Sequence, residues 1–323
     1  MRDMFAEEGA RARRALVREI EAYGALRDPA WRAAFAEVPR HLFVPSYYVP
    51  GPAGYERLWS GDSDPARRAR WLRGAYQDAA LATRVRDGEL LSSASQPSLM
   101  ARMLEALGID DGHDVLEIGA GSGYGAALLC HRLGDRHVTT VDLDEEIAES
   151  ARVHLAAAGH RPAVITGDGA RGCPERAPYD RIVATCEIPA VPHPWLAQSR
   201  PGGRILAPLS TGLILLAVQD PDHAEGRFLD TSAYFVPLRG RAAARARPPR
   251  GMGGVPRRAY EDERFQFLAG LVGGSLDTRE ALSLWQRERR PERERFGVTV
   301  REGRQWAWLD DPEGPYAWPL PGL

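Results

Sequence analysis

The segment from Asp114 to Tyr124, D-V-L-E-I-G-A-G-S-G-Y, constrains the rest of the chain more than any other stretch. Val115, Leu116 and Ile118 suit a buried parallel strand, and Gly119, Gly121 and Gly123 follow at alternate positions. Glycines so placed let the backbone turn tightly and lie against a ligand without side-chain interference. A helix is expected to start near Ser122. A dinucleotide-binding turn would read G-x-G-x-x-G, but Tyr124 stands where its third glycine belongs. Glu117, just before the glycines, would repel a pyrophosphate and tolerate a cation.

With 323 residues and 44% hydrophobic content, the chain can bury a substantial core and a smaller second unit. A formal net charge of -2 gives no global attraction to nucleic acid or to an anionic membrane, so neither is expected as a partner. All 42 basic residues are arginine, which removes Schiff-base and lysine-base chemistry. Cys130, Cys173 and Cys186 are widely spaced and form no C-x-x-C pair, which argues for a reducing compartment and against a metal site. The first ten residues have no apolar core and no run reaches membrane-spanning length, so a cytoplasmic protein is expected.

Before the glycine segment, two apolar stripes predict two amphipathic helices: Leu16, Ile20, Tyr23 and Leu26, then Trp31, Phe35 and Val38. Pro39 ends the second, and Arg40 to Pro45 is expected to run extended. Within V-P-R-H-L-F-V-P, which reads as an apolar staple, His41 is expected as a packed or surface residue. From Ser46 to Arg73 a surface loop or lid is expected, whose aromatic residues either cover the core edge or line a peptide groove. A helix from Ser98 to Leu107, buried through Leu99, Met103, Leu104 and Leu107, then places Ser95 just before its start.

After the glycines the pattern alternates as in a doubly wound parallel sheet, with strands at His137 to Val141, Ala163 to Thr166 and Ala177 to Thr185. Asp142 closes the second strand 19 residues after Gly123, where a carboxylate can accept both hydroxyls of a ribose. Gly167, Asp168 and Gly169 turn at the end of the third strand, where Asp168 can accept from an exocyclic amine. Thr185, Cys186 and Glu187 close the fourth strand, at the crevice edge. Leu213 to Val218 and Ser232 to Leu238 are expected as the last two strands, paired at an edge. Residues 239–258 hold seven arginines and no acid, the composition of a basic linker able to attract an acidic peptide. The run from Arg287 to Arg295 is expected as a solvated helix face. The expected organisation is an N-terminal helical segment and aromatic loop (1–75), a central domain (76–238), the linker (239–258) and an accessory domain (259–323).

Taken together, E-x-G-x-G-x-G, V-P-R-H-L-F-V-P, the run Ser93-Ala94-Ser95-Gln96-Pro97 and G-D-G resemble the motifs of protein-L-isoaspartate O-methyltransferases, over about residues 38–238. The first is similar to the donor motif of S-adenosylmethionine-dependent methyltransferases at large. The resemblance implies an α/β doubly wound, Rossmann-like methyltransferase fold, with N-terminal helices and a small C-terminal appended domain. It also implies S-adenosyl-L-methionine as cofactor and a peptide as partner. Ser95 is then the catalytic-site serine beside the substrate carboxylate, with Ser93, Gln96, Cys186 and Glu187 as substrate neighbours. The donor would meet Glu117, Gly119, Gly121, Gly123, Tyr124, Asp142, Leu143, Gly167, Asp168, Gly169 and Thr185. A hydroxyl and adjacent helix N-terminal amides can hold a carboxylate without a metal. An ionised carboxylate needs no general base to accept a methyl group.

Three departures point away from general repair. The family's T-I-S is Ser93-Ala94-Ser95, with Ser98 where a histidine often follows. Glu187 stands where small apolar residues are usual and would be uncomfortable near a free carboxylate. The stretch from Ser46 to Arg73 and the tail from Arg239 have no expected counterpart in compact repair enzymes. These features resemble divergent relatives that esterify a defined Asp of a ribosomally made lanthipeptide, lasso peptide or graspetide, whose ester closes to an aspartimide. Dedicated peptide methylation is therefore the expected activity. Isoaspartyl repair and a non-catalytic donor-binding regulator are the alternatives.

Overall fold

The computed structural model describes residues 5–51, 54–240 and 255–321. The chain divides into two compact units, Met1–Gly167 and Asp168–Leu323.

The first unit opens with helices α1 (Ala6–Ala22) and α2 (Pro29–Glu37). Asp28 starts α2 by accepting the Ala30 N–H, with Pro29 in the first turn where its missing donor costs nothing. Arg40 to Leu42 then form a single 3-10 turn, not the extended run expected. The proline rule restrains only the residue next to a proline, and Arg40 is drawn inward by the bonds described below.

The expected surface loop after Ser46 is ordered. It forms β1 (Ser46–Gly51), β2 (Gly54–Trp59) and α3 (Pro65–Ala75). Tyr47 and Trp71 are each 1% exposed, and their polar atoms donate to the Trp71 and Val44 carbonyls at 2.8 Å. These two aromatics therefore cover the core edge, with their polar ends satisfied. Tyr55 and Trp59 stay exposed at 71% and 42%. Strands β3 (Leu81–Arg86) and β4 (Glu89–Ala94), which sequence periodicity does not reveal, complete a four-stranded antiparallel sheet of order β2-β1-β3-β4.

Helix α4 (Pro97–Leu107) follows, burying Met100 in place of the expected Leu99. Two βαβ units then run through β5 (Val115–Ile118), α5 (Tyr124–Leu133), β6 (Val138–Asp142), α6 (Glu145–Ala157) and β7 (Ala163–Thr166). The three strands are parallel, with β6 between β5 and β7. All four residues of β5 are buried, as a strand covered on both faces requires.

The second unit contains β8 (Tyr179–Ala184), α7 (His193–Ala197), β9 (Ser199–Leu209), β10 (Gly212–Asp220) and β11 (His223–Ser232). After these come α8 (Arg257–Tyr260), α9 (Glu263–Val272), α10 (Thr278–Arg287), β12 (Phe296–Arg301), β13 (Arg304–Leu309) and β14 (Ala317–Pro319). β8 and β9 pair in parallel, and from β9 to β14 each strand pairs antiparallel with the next.

Three expectations change here. The partner of β10 is His223–Ser232, because the turn at Pro221 and Asp222 closes a hairpin earlier than the apolar run at Ser232 suggests. Strand β12 pairs with β11, so the C-terminal residues expected as a separate domain extend the same sheet. The run from Arg287 to Arg295 is no helix face: Arg289 and Arg290 are left-handed, and Arg293 is 5% exposed above the Phe267 ring. Of the expected basic linker, residues 241–254 lie outside the described residues.

Candidate functional site

The glycine turn joins β5 to α5. Gly119, Gly121 and Gly123 have φ of 96°, 51° and 87°, the left-handed region that glycine enters without penalty. The turn is pinned to β6, since Gly119 N–H donates to the Val141 carbonyl at 2.8 Å and Gly121 N–H to Asp142 Oδ2 at 3.1 Å. Asp144 N–H donates to the other carboxylate oxygen at 3.1 Å. Asp142 is thus aimed by two backbone amides at the carboxyl end of β6. Leu143 beside it is 40% exposed, an apolar surface next to a carboxylate. Gly167 N–H reaches the Asp142 carbonyl at 2.8 Å, which brings the end of β7 to the same edge.

Glu117 is 1% exposed and accepts the Thr140 hydroxyl at 2.7 Å. Burial pushes its carboxyl up to about 8, against the opposing pull of Thr140 and with a further upward push from Asp142. Burial therefore biases Glu117 toward its neutral form, which weakens the sequence argument from its charge. It acts beneath the turn. A Cβ on Gly125 would collide with Glu117 Oε1, so helix α5 can cross this carboxyl only at glycine. The motif reading stopped at Tyr124 and missed Gly125.

Tyr124 is also corrected. Its ring is 4% exposed and meets Phe35 and Phe43 edge-on or tilted, at centroid distances of 6.2 and 5.7 Å. Only its backbone, at the start of α5, belongs to the turn. His154 of α6 was missed altogether: its Nδ1 lies 2.9 Å from the Ser122 carbonyl and must donate to it, and burial lowers its pKa. Its neutral form braces the turn.

The serine segment reaches the same turn. A Cβ on Gly121 would stand 3.6 Å from both Ser92 Oγ and the Ser93 carbonyl. Ser92 is buried and accepts from Thr83 Oγ1 at 3.1 Å, whereas Ser93, Ser95 and Gln96 are partly exposed. The expected helix N-terminal amides are only partly at hand: Pro97 has no N–H, and Ser98 N–H donates to Asp78 Oδ1 at 2.8 Å. Asp78 Oδ2 accepts from Gln96 Nε2 at 3.0 Å. Gln96 thus braces the turn that carries Ser95.

In the second unit, Asp168 Oδ1 accepts Ala170 N–H at 3.1 Å and caps a 3-10 turn, and Gly169 accepts from Trp195 Nε1 at 2.9 Å. Cys186 is 6% exposed. Glu187 is partly exposed, and burial raises its pKa. Its backbone bonds residues 236 and 238, Glu187 N–H to Val236 O at 2.9 Å and Leu238 N–H to Glu187 O at 2.7 Å. The run expected as a strand from Ser232 to Leu238 is instead a strap across the end of β8. Thr185 lies in the bend immediately after β8.

An S-adenosylmethionine molecule fits what the first unit provides: a left-handed glycine turn, an oriented carboxylate at the neighbouring strand end and an exposed leucine beside it. Comparison with known proteins agrees. The chain matches the family described as Protein-L-isoaspartate(D-aspartate) O-methyltransferase over residues 66–243. It is 34% identical over 242 residues to the protein-L-isoaspartate O-methyltransferase of Hyperthermus butylicus, covering 71% of this chain and 89% of that protein. It is 38% identical over 221 residues to protein-L-isoaspartate O-methyltransferase 2 of Pelobacter propionicus, covering 67% and 84%.

Among solved structures, a protein-L-isoaspartate O-methyltransferase superposes with a TM-score of 0.64 at 22% identity, covering 96% of this chain and all of that one. A Plasmodium falciparum relative in complex with S-adenosyl-L-homocysteine superposes with a TM-score of 0.51 at 13% identity, covering 70% and 97%. The fold is thus a Rossmann-like methyltransferase fold with N-terminal helices and C-terminal strands. The 96% coverage also corrects the expectation that the tail has no counterpart in this family. The chain belongs to the protein-L-isoaspartate O-methyltransferase family and is an S-adenosyl-L-methionine-dependent carboxyl O-methyltransferase.

Proposed function

We propose that the protein methylates the free carboxylate of isoaspartyl residues in peptides and damaged proteins. The observation that supports this reading is the serine segment lying against the glycine turn of one unit, where Ser92 Oγ and the Ser93 carbonyl, three and two residues before Ser95, approach Gly121. When bound, S-adenosylmethionine supplies an electrophilic methyl group: the carboxylate oxygen forms the C–O bond as the C–S bond breaks, and no proton moves.

The protein's task is therefore orientation and exclusion of water. Gly119, Gly121 and Gly123 accommodate the donor's backbone-facing edge, Asp142 takes its ribose hydroxyls and Leu143 offers an apolar face. Ser95 donates to the substrate carboxylate, with Ser93 and Gln96 beside it. The sheet formed by β1 and β2, with exposed Tyr55 and Trp59, favours a second reading in which one structured peptide is gripped and a defined Asp is esterified on the way to an aspartimide. The wide coverage of the tail by a family structure weighs against it.

The test is base-labile methanol released after incubation with donor and a synthetic isoaspartyl peptide, compared with its ordinary Asp twin. Methanol from the isoaspartyl peptide alone supports the proposal. Methanol from neither peptide, with S-adenosylhomocysteine still bound, overturns it in favour of a donor-binding protein or a dedicated peptide enzyme.

A further inference from the structure

Arg40, from the V-P-R-H-L-F-V-P segment, has 0% exposure, and its guanidinium meets four backbone carbonyls. Nη1 donates to Ala75 O at 2.8 Å and Gln77 O at 3.1 Å. Nη2 donates to Ala79 O and Ser95 O, both at 3.1 Å. Its carbon centre also lies 5.9 Å from the ring centroid of Tyr124, the residue that follows the glycine turn. Nε has no partner among the described residues.

A buried cation is costly unless its donors are satisfied, and carbonyl dipoles serve here where a salt bridge usually would. Three acceptors lie on one short stretch, Ala75 to Ala79, and the same stretch supplies Asp78. Asp78 in turn bonds the Gln96 side chain and Ser98 N–H. Arg40 therefore holds the residue that carries the acceptor hydroxyl by its own carbonyl, while Asp78 holds the residues one and three places further on. A residue serving only to glue N-terminal helices to the core would not need the Ser95 carbonyl.

We propose that Arg40 is a positioning residue for methyl transfer: with Asp78 it fixes Ser95 relative to the glycine turn, setting the distance between methyl donor and acceptor. This rests on the isoaspartyl-methylating reading for its kinetic consequence, but its structural content does not. Lysine keeps the charge and loses the planar fork that reaches four acceptors. Arg40→Lys should lower kcat by up to about 100-fold, since displacements near 1 Å cost that order, while S-adenosylhomocysteine affinity changes less than about 3-fold.

Hydrogen exchange gives a readout free of turnover. The amides of residues 95–100 should lose protection selectively in Arg40→Lys, with β5 and β6 unchanged. Asp78→Asn is the milder second variant and should show the same pattern at lower amplitude. Unchanged exchange at 95–100 overturns the proposal, and so does uniform deprotection of the first unit, because that marks a scaffold role. If the wild-type protein fails on isoaspartyl peptides but Arg40→Lys selectively loosens 95–100, the activity reading falls and the positioning role stands.

Discussion

The ends of β5 and β6 differ from the end of β8 in how their acidic groups are held. At β5 and β6 each carboxyl has an assigned donor: Thr140 for Glu117, and Gly121 and Asp144 amides for Asp142. At β8 the Glu187 pKa is raised by burial alone, and among the described residues only its backbone is tied down. The first region is organised before any ligand arrives, which suits a donor bound identically in every cycle. The second is held by desolvation alone, with its pKa raised and no donor to fix its charge among the described residues.

Breaking the organised end should have the largest effect. Asp142→Ala removes the ribose acceptor and the anchor of Gly121 together, so S-adenosylhomocysteine affinity by calorimetry should fall about 100-fold. Ser95→Ala tests the other side of the reaction: kcat should drop about 10- to 30-fold while donor affinity holds, and parallel losses would remove Ser95 from its acceptor role. Glu187→Gln sharpens the contrast at β8. With its pKa raised, Glu187 is neutral further above the ordinary carboxyl range and repels a substrate carboxylate only once ionised. Wild-type kcat/KM should therefore fall severalfold as pH climbs from 5 to 8, and the glutamine variant should flatten that decline.

The smallest effect concerns stability. Glu117 titrates near 8 when folded and near 4.5 when unfolded, so the unfolded chain loses its proton first and stability declines with rising pH across that window. Glu117→Gln keeps an acceptor for Thr140 without the ionisation. Its melting temperature should exceed the wild type's by on the order of 5 °C at pH 8 and by little at pH 5. An equal difference at both pH values would mean that Glu117 is not the group responsible.

Much of this was readable in the chain. The glycine turn, the strand before it and Asp142 nineteen residues on follow from local spacing, because short apolar runs and glycine conformations are set by near neighbours. Ser95 and the G-D-G turn were legible through family motifs. Gly125, Arg40, Asp78 and His154 were not: each matters through a partner between 8 and 55 residues away, and no periodicity marks such a pairing. The stretch after Ser46 was legible only in part: covering the core edge was one of two open readings for its aromatics, and the strands and helix that carry Tyr47 and Trp71 there were not foreseen.

What the amino-acid sequence determined by itself was the class of the protein: parallel strands, a donor-type glycine turn and an acid at the next strand end, all consequences of local sterics and spacing. What only the tertiary structure decided was protonation and placement. The Glu117 carboxyl is pushed toward its neutral form because folding removed its water, the Ser98 amide of α4 is occupied because Asp78 took it, and Arg40 acquired its place because four carbonyls converged on it.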